Sequence, residues 1–374
     1  MTKTFNLNGR IDSNNVDRIE NEIREKIKDF SGEIVFDANN LEYISSAGLR
    51  MILRTKKSND DTKVINCSSE VYEIFEMTGF SEMMDVSKAY RQISIDGCEL
   101  IGDGFYGTVY RINPETIVKV YKPKDCLDMV KREKELSRKA FILGIPTAIP
   151  YDIVKVGDKY GSVFELLNCK SLQKDIQEGA NIEELAKMCV EILKKMHSIE
   201  LKPGELPNKK DQIIKMAIEC KEYMDDETFS SLVTFINNIP DKNTMIHGDF
   251  HIKNLMKQEN ELLLIDMDTL SIGNPIFEFG AMYATYVGFS CVNKNNAQEF
   301  LEITYDQSSQ IWDFIFNYYY EEKTEKEKEE LLKTIKIICY LEVLFIRTKF
   351  SNKNNKYEQQ EIDFSIDYLT NNLK

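Results

Sequence analysis

The sequence MIHGDFHIKNL, at residues 245–255, contains two side chains that carry oxygen ligands, the carboxylate of Asp249 and the amide of Asn254. Twelve residues after Asn254, an apolar stretch with the pattern of a buried strand ends at another carboxylate, Asp266. Phosphoryl transfer needs one carboxylate to orient the attacking hydroxyl group, and oxygen ligands to hold Mg²⁺. We therefore predict that Asp249 is a catalytic base and that Asn254 and Asp266 bind magnesium.

The same segment has an alternative interpretation as a hydrolytic metal site, because the spacing of His247 and Asp249 would suit two metal ligands. The chain contains only three histidines, however, and His197 is the only one that lies outside the segment. This leaves few further ligands for such a site. We therefore prefer to interpret His247 as a hydrogen-bonded anchor of the loop.

A glycine-rich segment, GDGFYGTV at residues 102–109, follows the pattern G-x-G-x-x-G-x-V. Its first six positions also occur in dinucleotide-binding turns, where a helix follows the glycines directly. Here residues 108–112 favour a strand and Pro114 marks a turn, which indicates a β-hairpin instead. A glycine-rich hairpin of this kind covers the phosphates of ATP in kinases. The residues predicted to bind the nucleotide here are Gly102, Gly104, Gly107 and Val109.

The apolar stretch Thr116–Tyr121 carries one charged side chain, Lys119. A lysine on a buried strand is unfavourable unless it has an anionic partner, and the α- and β-phosphates of ATP would supply one. A glutamate on the following helix should orient the ammonium group, and both Glu133 and Glu135 are candidates.

The stretch SVFELLN, at residues 162–168, reads as an apolar strand followed by a polar turn. We interpret it as the connection between two lobes. Backbone groups near Glu165 and Leu167 would then form hydrogen bonds with the edge of the adenine ring.

The glycine hairpin, the lysine strand and the H-G-D-x-x-x-x-N loop occur in the order that kinases share. Together they resemble the aminoglycoside phosphotransferase and choline kinase-like superfamily. The loop carries H-G-D rather than H-R-D, the triplet DMD at 266–268 stands where protein kinases have D-F-G, and the sequence has no A-P-E triplet. The resemblance covers residues 95–374 and includes the segment IGNPIFEFG at 272–280.

This resemblance implies a bilobal kinase fold, with an N-lobe at about 95–167 and a mostly helical C-lobe at about 168–374. It implies ATP and Mg²⁺ as cofactors. It also favours Glu133 over Glu135 as the partner of Lys119, because the spacing of Glu133 matches the superfamily pattern.

The segment after the predicted metal ligand is short, since only eight residues separate Asp266 from Pro275. Protein kinases use a longer segment at this place to hold an extended peptide substrate. We therefore predict that the phosphate acceptor is a small molecule with a hydroxyl or amine group, bound among the helices after Pro275. Glu278, with acidic or aromatic residues of 311–320, is a candidate for contact with the acceptor.

The first 90 residues or so show a different pattern, in which short apolar strands alternate with amphipathic helices. This pattern predicts a small α/β domain at residues 1–92. The predicted strands lie at 5–9, 33–37 and 63–66, and the predicted helices at 16–27, 45–57 and 69–77.

Within this region, LNGRIDS at 7–13 and NLEYISSAGLR at 40–50 resemble the STAS domain of bacterial anti-sigma factor antagonists, and residues 65–80 fit the same family. In that family a serine at the start of the central helix is phosphorylated to switch partner binding. Ser46 falls on that position, so the resemblance implies a phosphorylation site there and a protein partner for the domain.

Two neighbours of Ser46 depart from the family pattern, because Ser45 replaces the usual aspartate and Ala47 the usual serine. Ser45 can also be interpreted simply as the cap of the helix. If Ser46 is a switch, the chain has a second possible function. It would be a partner-switch regulator in which the kinase fold acts on, or is gated by, the STAS domain.

The sequence as a whole predicts an α+β protein, a small STAS domain followed by a bilobal protein-kinase-like domain. Its formal net charge of -14 argues against nucleic acid or an anionic membrane as the main partner. The N-terminus lacks the apolar core of a signal peptide, and the eight cysteines form no C-x-x-C pair. We therefore expect a cytoplasmic protein with reduced cysteines.

Overall fold

The computed structural model describes residues 2–104, 106–124, 126–167, 169–259, 261–350 and 356–373, without the side chain of Lys356. Phe105 of the predicted glycine hairpin and Asn168 of the predicted hinge lie outside these ranges. The contacts within the chain divide it into two compact units, and we describe each unit by itself.

The first unit contains the residues up to Asp96 together with Ile153–Lys159. Strands β1, β2, β3 and β4 form a parallel sheet in that order, and β5 pairs in parallel with Val154 and Lys155. The elements are β1 (Thr2–Ile11), α1 (Val16–Ile27), β2 (Glu33–Ile44), α2 (Ser46–Ser58), β3 (Thr62–Cys67), α3 (Ser69–Met77), α4 (Phe80–Met83), β4 (Val86–Lys88) and β5 (Arg91–Gln92).

The core of this unit lies between the sheet and its helices, where Leu7, Phe36, Ile52 and Phe75 are buried. The predicted helices at 16–27 and 69–77 form with those bounds. Strand β2 is longer than predicted, because it remains paired with β1 through two register shifts until Ile44. A pairing between distant strands thus extends an element whose local sequence, ANNLEY, gives little strand signal.

The second unit contains Gly97–Asp152 and the chain from Tyr160 onward. The elements that follow β5 are β6 (Glu99–Asp103), β7 (Gly107–Asn113), β8 (Thr116–Tyr121), α5 (Leu127–Ile142), β9 (Pro150–Val156), β10 (Lys159–Glu165), β11 (Lys170–Ser171), α6 (Leu172–Gln177), α7 (Ile182–His197), α8 (Lys209–Glu219), α9 (Asp226–Asn238), β12 (Thr244–Ile246), β13 (Leu255–Gln258), β14 (Glu261–Leu264), β15 (Ser271–Gly273), α10 (Ile276–Tyr286), α11 (Asn295–Phe300), α12 (Tyr305–Tyr319), α13 (Glu325–Phe350) and α14 (Lys356–Asn372).

An antiparallel sheet opens the second unit, with β10, β8, β7 and β6 as successive neighbours. Strand β8 is central among these four, so its alternate residues Val118 and Val120 are buried. Lys119 points to the other face of the sheet, opposite Val109 on β7 and Ser162 on β10.

Helices dominate the rest of the second unit, and α10 and α13 pack closely within its core. Helix α13 runs from Glu325 to Phe350. At its contact with α10, a Cβ atom on Gly280 would lie only 2.3 Å from Cγ2 of Ile338. No larger residue fits there without a shift of the helices, which explains a glycine in the middle of α10.

The predicted α+β organisation is confirmed, with an α/β unit followed by a sheet and a helical region. In the described part of the chain, no helix is both long enough and apolar enough to cross a bilayer.

Candidate active site

The sheet and helix α5 bring Lys119 and Glu133 together, as the sequence predicts. Nζ of Lys119 donates hydrogen bonds of 2.9 and 3.1 Å to the two carboxylate oxygens of Glu133, which is 2% exposed. The hydroxyl of Tyr121 donates a further hydrogen bond of 2.6 Å to Glu133. Glu135, the other candidate, lies on the exposed side of α5. The site therefore holds Glu133 and excludes Glu135.

Lys119 also reaches across to Asp266, whose Oδ1 accepts a hydrogen bond of 2.8 Å from Nζ. Burial lowers the pKa of Lys119, but the adjacent charges of Glu133 and Asp266 outweigh burial and raise the pKa above its usual value. The ammonium group is therefore charged and bridges two segments that are 147 residues apart in the sequence.

Asp266 lies in a left-handed backbone conformation, with φ of 63°, directly after strand β14. Few residues other than glycine adopt this conformation, and such residues are frequent at functional sites. The turn continues through a short 3₁₀ helix, Met267–Thr269. It brings Asp268 to the same place, so that Glu133, Asp266 and Asp268 each offer an oxygen within 4.8 Å of the others.

These three carboxylates fit a divalent cation. Lys119 supplies one positive charge against three carboxyl groups, which leaves an excess of negative charge for a cation such as Mg²⁺ to balance. Burial and the charges of Asp266 and Glu133 raise the pKa of Asp268 to about 7. Asp268 was not among the predicted site residues, although its place in the DMD triplet is a signal that could have identified it.

The loop between β12 and β13 holds Asp249 and Asn254 side by side. Nδ2 of Asn254 donates hydrogen bonds of 3.0 Å to the carbonyl oxygen and to Oδ2 of Asp249. Because this nitrogen is occupied, Oδ1 of Asn254 is the atom left to face a cation. The carboxylate of Asp249 remains 41% exposed, so a substrate can reach it.

His251 completes this arrangement, with Nε2 at 3.4 Å from Oδ1 of Asp249. Burial raises the pKa of Asp249, but His251, His247 and the amide of Asn254 act more strongly and hold the pKa well below its usual range. Asp249 is therefore a carboxylate at neutral pH. His251 was not among the predicted site residues, although it lies in the same loop as Asp249 and Asn254.

His247 is completely buried and both of its ring nitrogens have partners. Nε2 lies 3.2 Å from the carbonyl oxygen of Ile265, and Nδ1 accepts a hydrogen bond of 3.2 Å from the N–H of Asp249. Neither nitrogen is available to a metal ion. The geometry therefore favours the interpretation of His247 as an anchor over the metal-hydrolase alternative.

Glu278 on α10 has a different place from the one we expected. Its side chain is completely buried, and it accepts hydrogen bonds of 2.6 and 2.9 Å from the backbone N–H groups of His247 and Gly248. Burial raises the pKa of Glu278, but the neighbouring His197 and these donors lower it below the usual value. Glu278 thus holds the loop that carries Asp249 in place and offers no surface to an acceptor.

The glycine hairpin forms between β6 and β7. The N–H of Gly104 donates a hydrogen bond of 2.9 Å to the carbonyl oxygen of Gly107. A Cβ atom on Gly107 would lie 2.9 Å from the carbonyl oxygen of Val120, so the strands approach too closely for any side chain there. Gly102 lies in β6 and pairs with Val109 across the hairpin, and on its other side Val109 pairs with Lys119 of β8.

The predicted hinge follows β10. The N–H of Glu165 donates to the carbonyl oxygen of Ile149 at 3.1 Å, and the N–H of Leu166 to that of Glu115 at 2.7 Å. Among the residues that the structure describes, the N–H of Leu167 has no such partner. Leu167 therefore offers the backbone donor that an adenine ring would need.

In the first unit, Ser45 and Ser46 occupy the start of helix α2. Oγ of Ser45 accepts a hydrogen bond of 3.4 Å from the N–H of Gly48 and so caps the helix. Ser46 is the first helical residue and is exposed. The two interpretations of this segment are therefore compatible, because the cap and the candidate phosphorylation site are different residues.

Comparison with known families agrees with both regions. The family model described as "Phosphotransferase enzyme family" matches residues 97–293, and the STAS domain model matches residues 2–93. The protein BtrV of Bordetella bronchiseptica, named provisionally as an anti-sigma factor antagonist, is 30% identical over 87 residues, which are 22% of this chain and 75% of BtrV.

Solved structures with a similar fold include several of a thermostable mutant of the aminoglycoside phosphotransferase APH(4)-Ia. A ternary complex with AMP-PNP and hygromycin B has a TM-score of 0.53, with 12% identity, and covers 75% of this chain and 96% of that chain. The apo form has a TM-score of 0.51 with the same identity and coverage. At this identity the likeness concerns the fold alone. Since the phosphotransferase model spans just over half of its residues, the chain belongs to the phosphotransferase enzyme family, and it carries a STAS domain ahead of that region.

Proposed function

We propose that this protein transfers the γ-phosphate of ATP, with Mg²⁺, to a hydroxyl or amine group of a small molecule. The observation that carries the proposal is the convergence of Lys119, Glu133 and Asp266 in one hydrogen-bonded cluster, in the same unit as the Asp249–Asn254 loop. Four separate segments of the sequence supply these residues. A phosphotransferase requires residues of these kinds to be held close together in the folded protein.

On the nucleotide side, the glycine hairpin with Gly102, Gly104, Gly107 and Val109 would cover the phosphates. Lys119 would contact the α- and β-phosphates while Glu133 fixes its position. The adenine ring would bind the backbone at Glu165–Leu167. The complexes of related folds with AMP-PNP and with ADP support a nucleotide at this place.

Asn254 and Asp266 would hold Mg²⁺, with Asp268 as a further carboxylate beside them. The metal ion would supply positive charge that stabilises the transferring phosphoryl group. Asp249 would orient the acceptor hydroxyl and accept its proton. In the step, the acceptor oxygen forms a bond to the γ-phosphorus, and the bond from that phosphorus to the bridging oxygen of ADP breaks.

A small-molecule acceptor fits the short chain between Asp266 and Pro275, of which residues 271–273 pair with β12. This leaves no segment to hold an extended peptide. The complexes of a related fold with hygromycin B show a small molecule bound to that protein. A cytoplasmic location belongs to the same proposal, and it is supported by eight free cysteines.

Binding of ATP with Mg²⁺ should stabilise the protein, because the folded site binds the nucleotide and the unfolded chain does not. At a hundred times the dissociation constant, the stabilisation is about 2.7 kcal/mol, which corresponds to a rise of roughly 5–10 °C in Tm. Thermal denaturation with and without saturating ATP and Mg²⁺ measures it.

The matched control for this experiment is Glu135→Gln, which removes an exposed carboxylate from the helix that carries Glu133. This variant should keep the full rise in Tm, whereas Lys119→Met should lose most of it. A wild-type protein whose Tm does not change with ATP and Mg²⁺ would contradict the proposed function.

A second candidate function rests on the exposure of Ser46 at the N-terminus of α2. Phosphate at this position would be stabilised by the free N–H groups of the helix and would alter a docking surface. In this partner-switch function the kinase fold acts on, or is gated by, the STAS domain. The resemblance of the first unit to BtrV supports it.

If the partner-switch function holds, the full-length protein incubated with ATP and Mg²⁺ should gain one phosphoryl group at Ser46. Intact mass and peptide mapping would locate it. Ser46→Ala should abolish the modification and Ser45→Ala should retain it, because Ser45 only caps the helix. Phosphate on other serines, or on none in the presence of cell extract, would reject Ser46 as a switch.

A further inference from the structure

Lys209 and Glu342 are two buried charges that the proposed reaction has not yet used. Lys209 is 4% exposed and begins α8, and Glu342 is 6% exposed and lies in the second half of α13. Burial of a charged group is unfavourable unless the group is paired or bound to a ligand. Each of these side chains therefore needs an explanation.

Within the part of the chain that the structure describes, neither charged group has a close partner. No hydrogen bond and no ion pair within 4.0 Å joins the side chain of Lys209 or of Glu342 to another described residue. By contrast, Lys210, the next residue on α8, donates to the carbonyl oxygen of Ile239 and forms an ion pair with Asp241. On α14, Glu361 is likewise buried, and it is paired with Arg347.

Each of the two charged groups keeps some contact with solvent. Four side-chain atoms of the described residues are both sealed from solvent and unpartnered, namely Thr116 Oγ1, His197 Nε2, Ser271 Oγ and Ser290 Oγ. The ammonium group of Lys209 and the carboxylate of Glu342 are not among them, although they also lack partners. Neither group is therefore fully sealed, in spite of the burial of both residues.

Lys209 lies beside the loop that carries Asp249. The ammonium nitrogen of Lys209 is 3.4 Å from the position that a Cβ atom on Gly248 would take, next to Asp249 in the chain. Burial raises the pKa of Glu342 to about 7, the charge of Lys209 opposes this rise, and the charges of Glu278 and Asp249 add to it. Helices α8 and α13, which carry Lys209 and Glu342, pack against each other, so the two charges lie on neighbouring helices.

We propose that Lys209 and Glu342 form the acceptor subsite of the phosphotransfer reaction, and that the acceptor is a hydroxylated zwitterion. Its anionic group, a carboxylate or an equivalent, would bind Lys209, and its ammonium group would bind Glu342. Its hydroxyl would then lie at Asp249. This inference rests on the proposed function and adds the class of the substrate to it.

The charges exclude other classes of acceptor. A polycationic amino sugar would bring positive charge against the buried ammonium of Lys209. A neutral polyol would leave both buried charges unpaired, and a simple amino alcohol or hydroxy acid would pair only one of them. An unpaired buried charge is strongly unfavourable, so discrimination among these classes should be large.

The test measures ADP release by the full-length protein with a panel of acceptors that differ in charge. Serine and homoserine represent zwitterions, ethanolamine the cation alone, glycerate the anion alone, and kanamycin the polycation. The wild-type protein should use a zwitterion with the highest kcat/KM. Preference for kanamycin, for a neutral polyol, or for no zwitterion at millimolar concentration would overturn the proposal.

The variants Lys209→Gln and Glu342→Gln assign each charge. Loss of a hydrogen-bonded charge should raise KM for the zwitterion by about tenfold to a hundredfold, with a smaller change in kcat. Lys209→Gln should also lose the preference for the zwitterion over ethanolamine, and Glu342→Gln the preference for it over glycerate. A merely structural role would reduce the rates for all acceptors alike, and that outcome would overturn the proposal.

Lys210→Gln is the matched control, because it removes a neighbouring buried ammonium whose partners are Ile239 and Asp241. It should lower Tm without changing the order of preference among acceptors. The rise in Tm with ATP and Mg²⁺ distinguishes a failure of the proposed phosphotransfer from a failure of the proposed acceptor subsite. If the rise is absent, the proposed phosphotransfer fails; if it is present and the acceptor preference differs, only the subsite fails.

Discussion

Replacement of Asp249 by asparagine is expected to reduce phosphate transfer by about 10²- to 10⁴-fold, the range typical for loss of a positioned general base. Asparagine preserves the shape of the side chain, and its oxygen can still accept the hydrogen bond from Nδ2 of Asn254. It cannot accept a proton from the acceptor hydroxyl. Nucleotide binding should therefore persist, and the rise in Tm with ATP and Mg²⁺ should remain close to that of the wild type.

Asp266→Ala is the informative comparison, since Asp266 would bind the metal ion and contacts Lys119 at 2.8 Å. This variant should lose the transfer and the stabilisation by ATP and Mg²⁺ together. Steady-state ADP release and thermal denaturation on the same preparations distinguish the two effects. Wild-type turnover in Asp249→Asn would show that Asp249 is not the base.

Replacement of Glu278 by alanine is expected to lower the free energy of unfolding of the second unit by about 2–5 kcal/mol. Two buried N–H groups, of His247 and Gly248, lose their acceptor, and each unsatisfied group costs about 1–3 kcal/mol. Transfer should fall as well, because the same N–H groups position the loop that carries Asp249. Glu278→Gln, which keeps one acceptor oxygen, should lie between the wild type and the alanine variant.

Fluorescence during urea denaturation can follow this unit alone. The chain has a single tryptophan, Trp312, which is 3% exposed and packs edge-to-face against Phe279 on the helix that carries Glu278. The midpoint of the Trp312 transition should fall in Glu278→Ala. An unchanged midpoint would show that the loop does not depend on Glu278, and Glu135→Gln controls for the loss of a carboxylate elsewhere in the unit.

The sequence predicts the parts of the site that lie within short motifs. Asp249 and Asn254 are five residues apart in one loop, and the hydrogen bonds between them are local. Lys119 and Glu133 lie on adjacent elements. The pattern of a strand followed by a helix was therefore enough to predict that a glutamate of that helix contacts Lys119. The choice of Glu133 over Glu135 depended on the family pattern, and the burial of Glu133 explains it physically.

Other parts of the site depend on contacts between distant segments. Glu278 follows Pro275 and was expected to contact an acceptor. Its carboxylate instead points into the protein, where it binds the N–H groups of His247 and Gly248. Lys209 and Glu342 lie 133 residues apart in the sequence, on two different helices. No local sequence pattern predicts that these helices pack together. The lack of a hydrogen-bonded or ion-paired partner for either side chain among the described residues is a property of the folded chain, and the sequence carries no motif for it.

The contact between Gly280 and Ile338 constrains how such a site could diversify in evolution. Gly280 is two residues after Glu278, and Ile338 is one helical turn before Glu342. The close approach of α10 and α13 at this contact therefore sets the distance between Glu278, which holds the loop of Asp249, and Glu342, the proposed contact of the acceptor. Descendants that acquire new acceptors are expected to exchange side chains at Lys209 and Glu342, while the helix spacing and Gly280 are inherited unchanged.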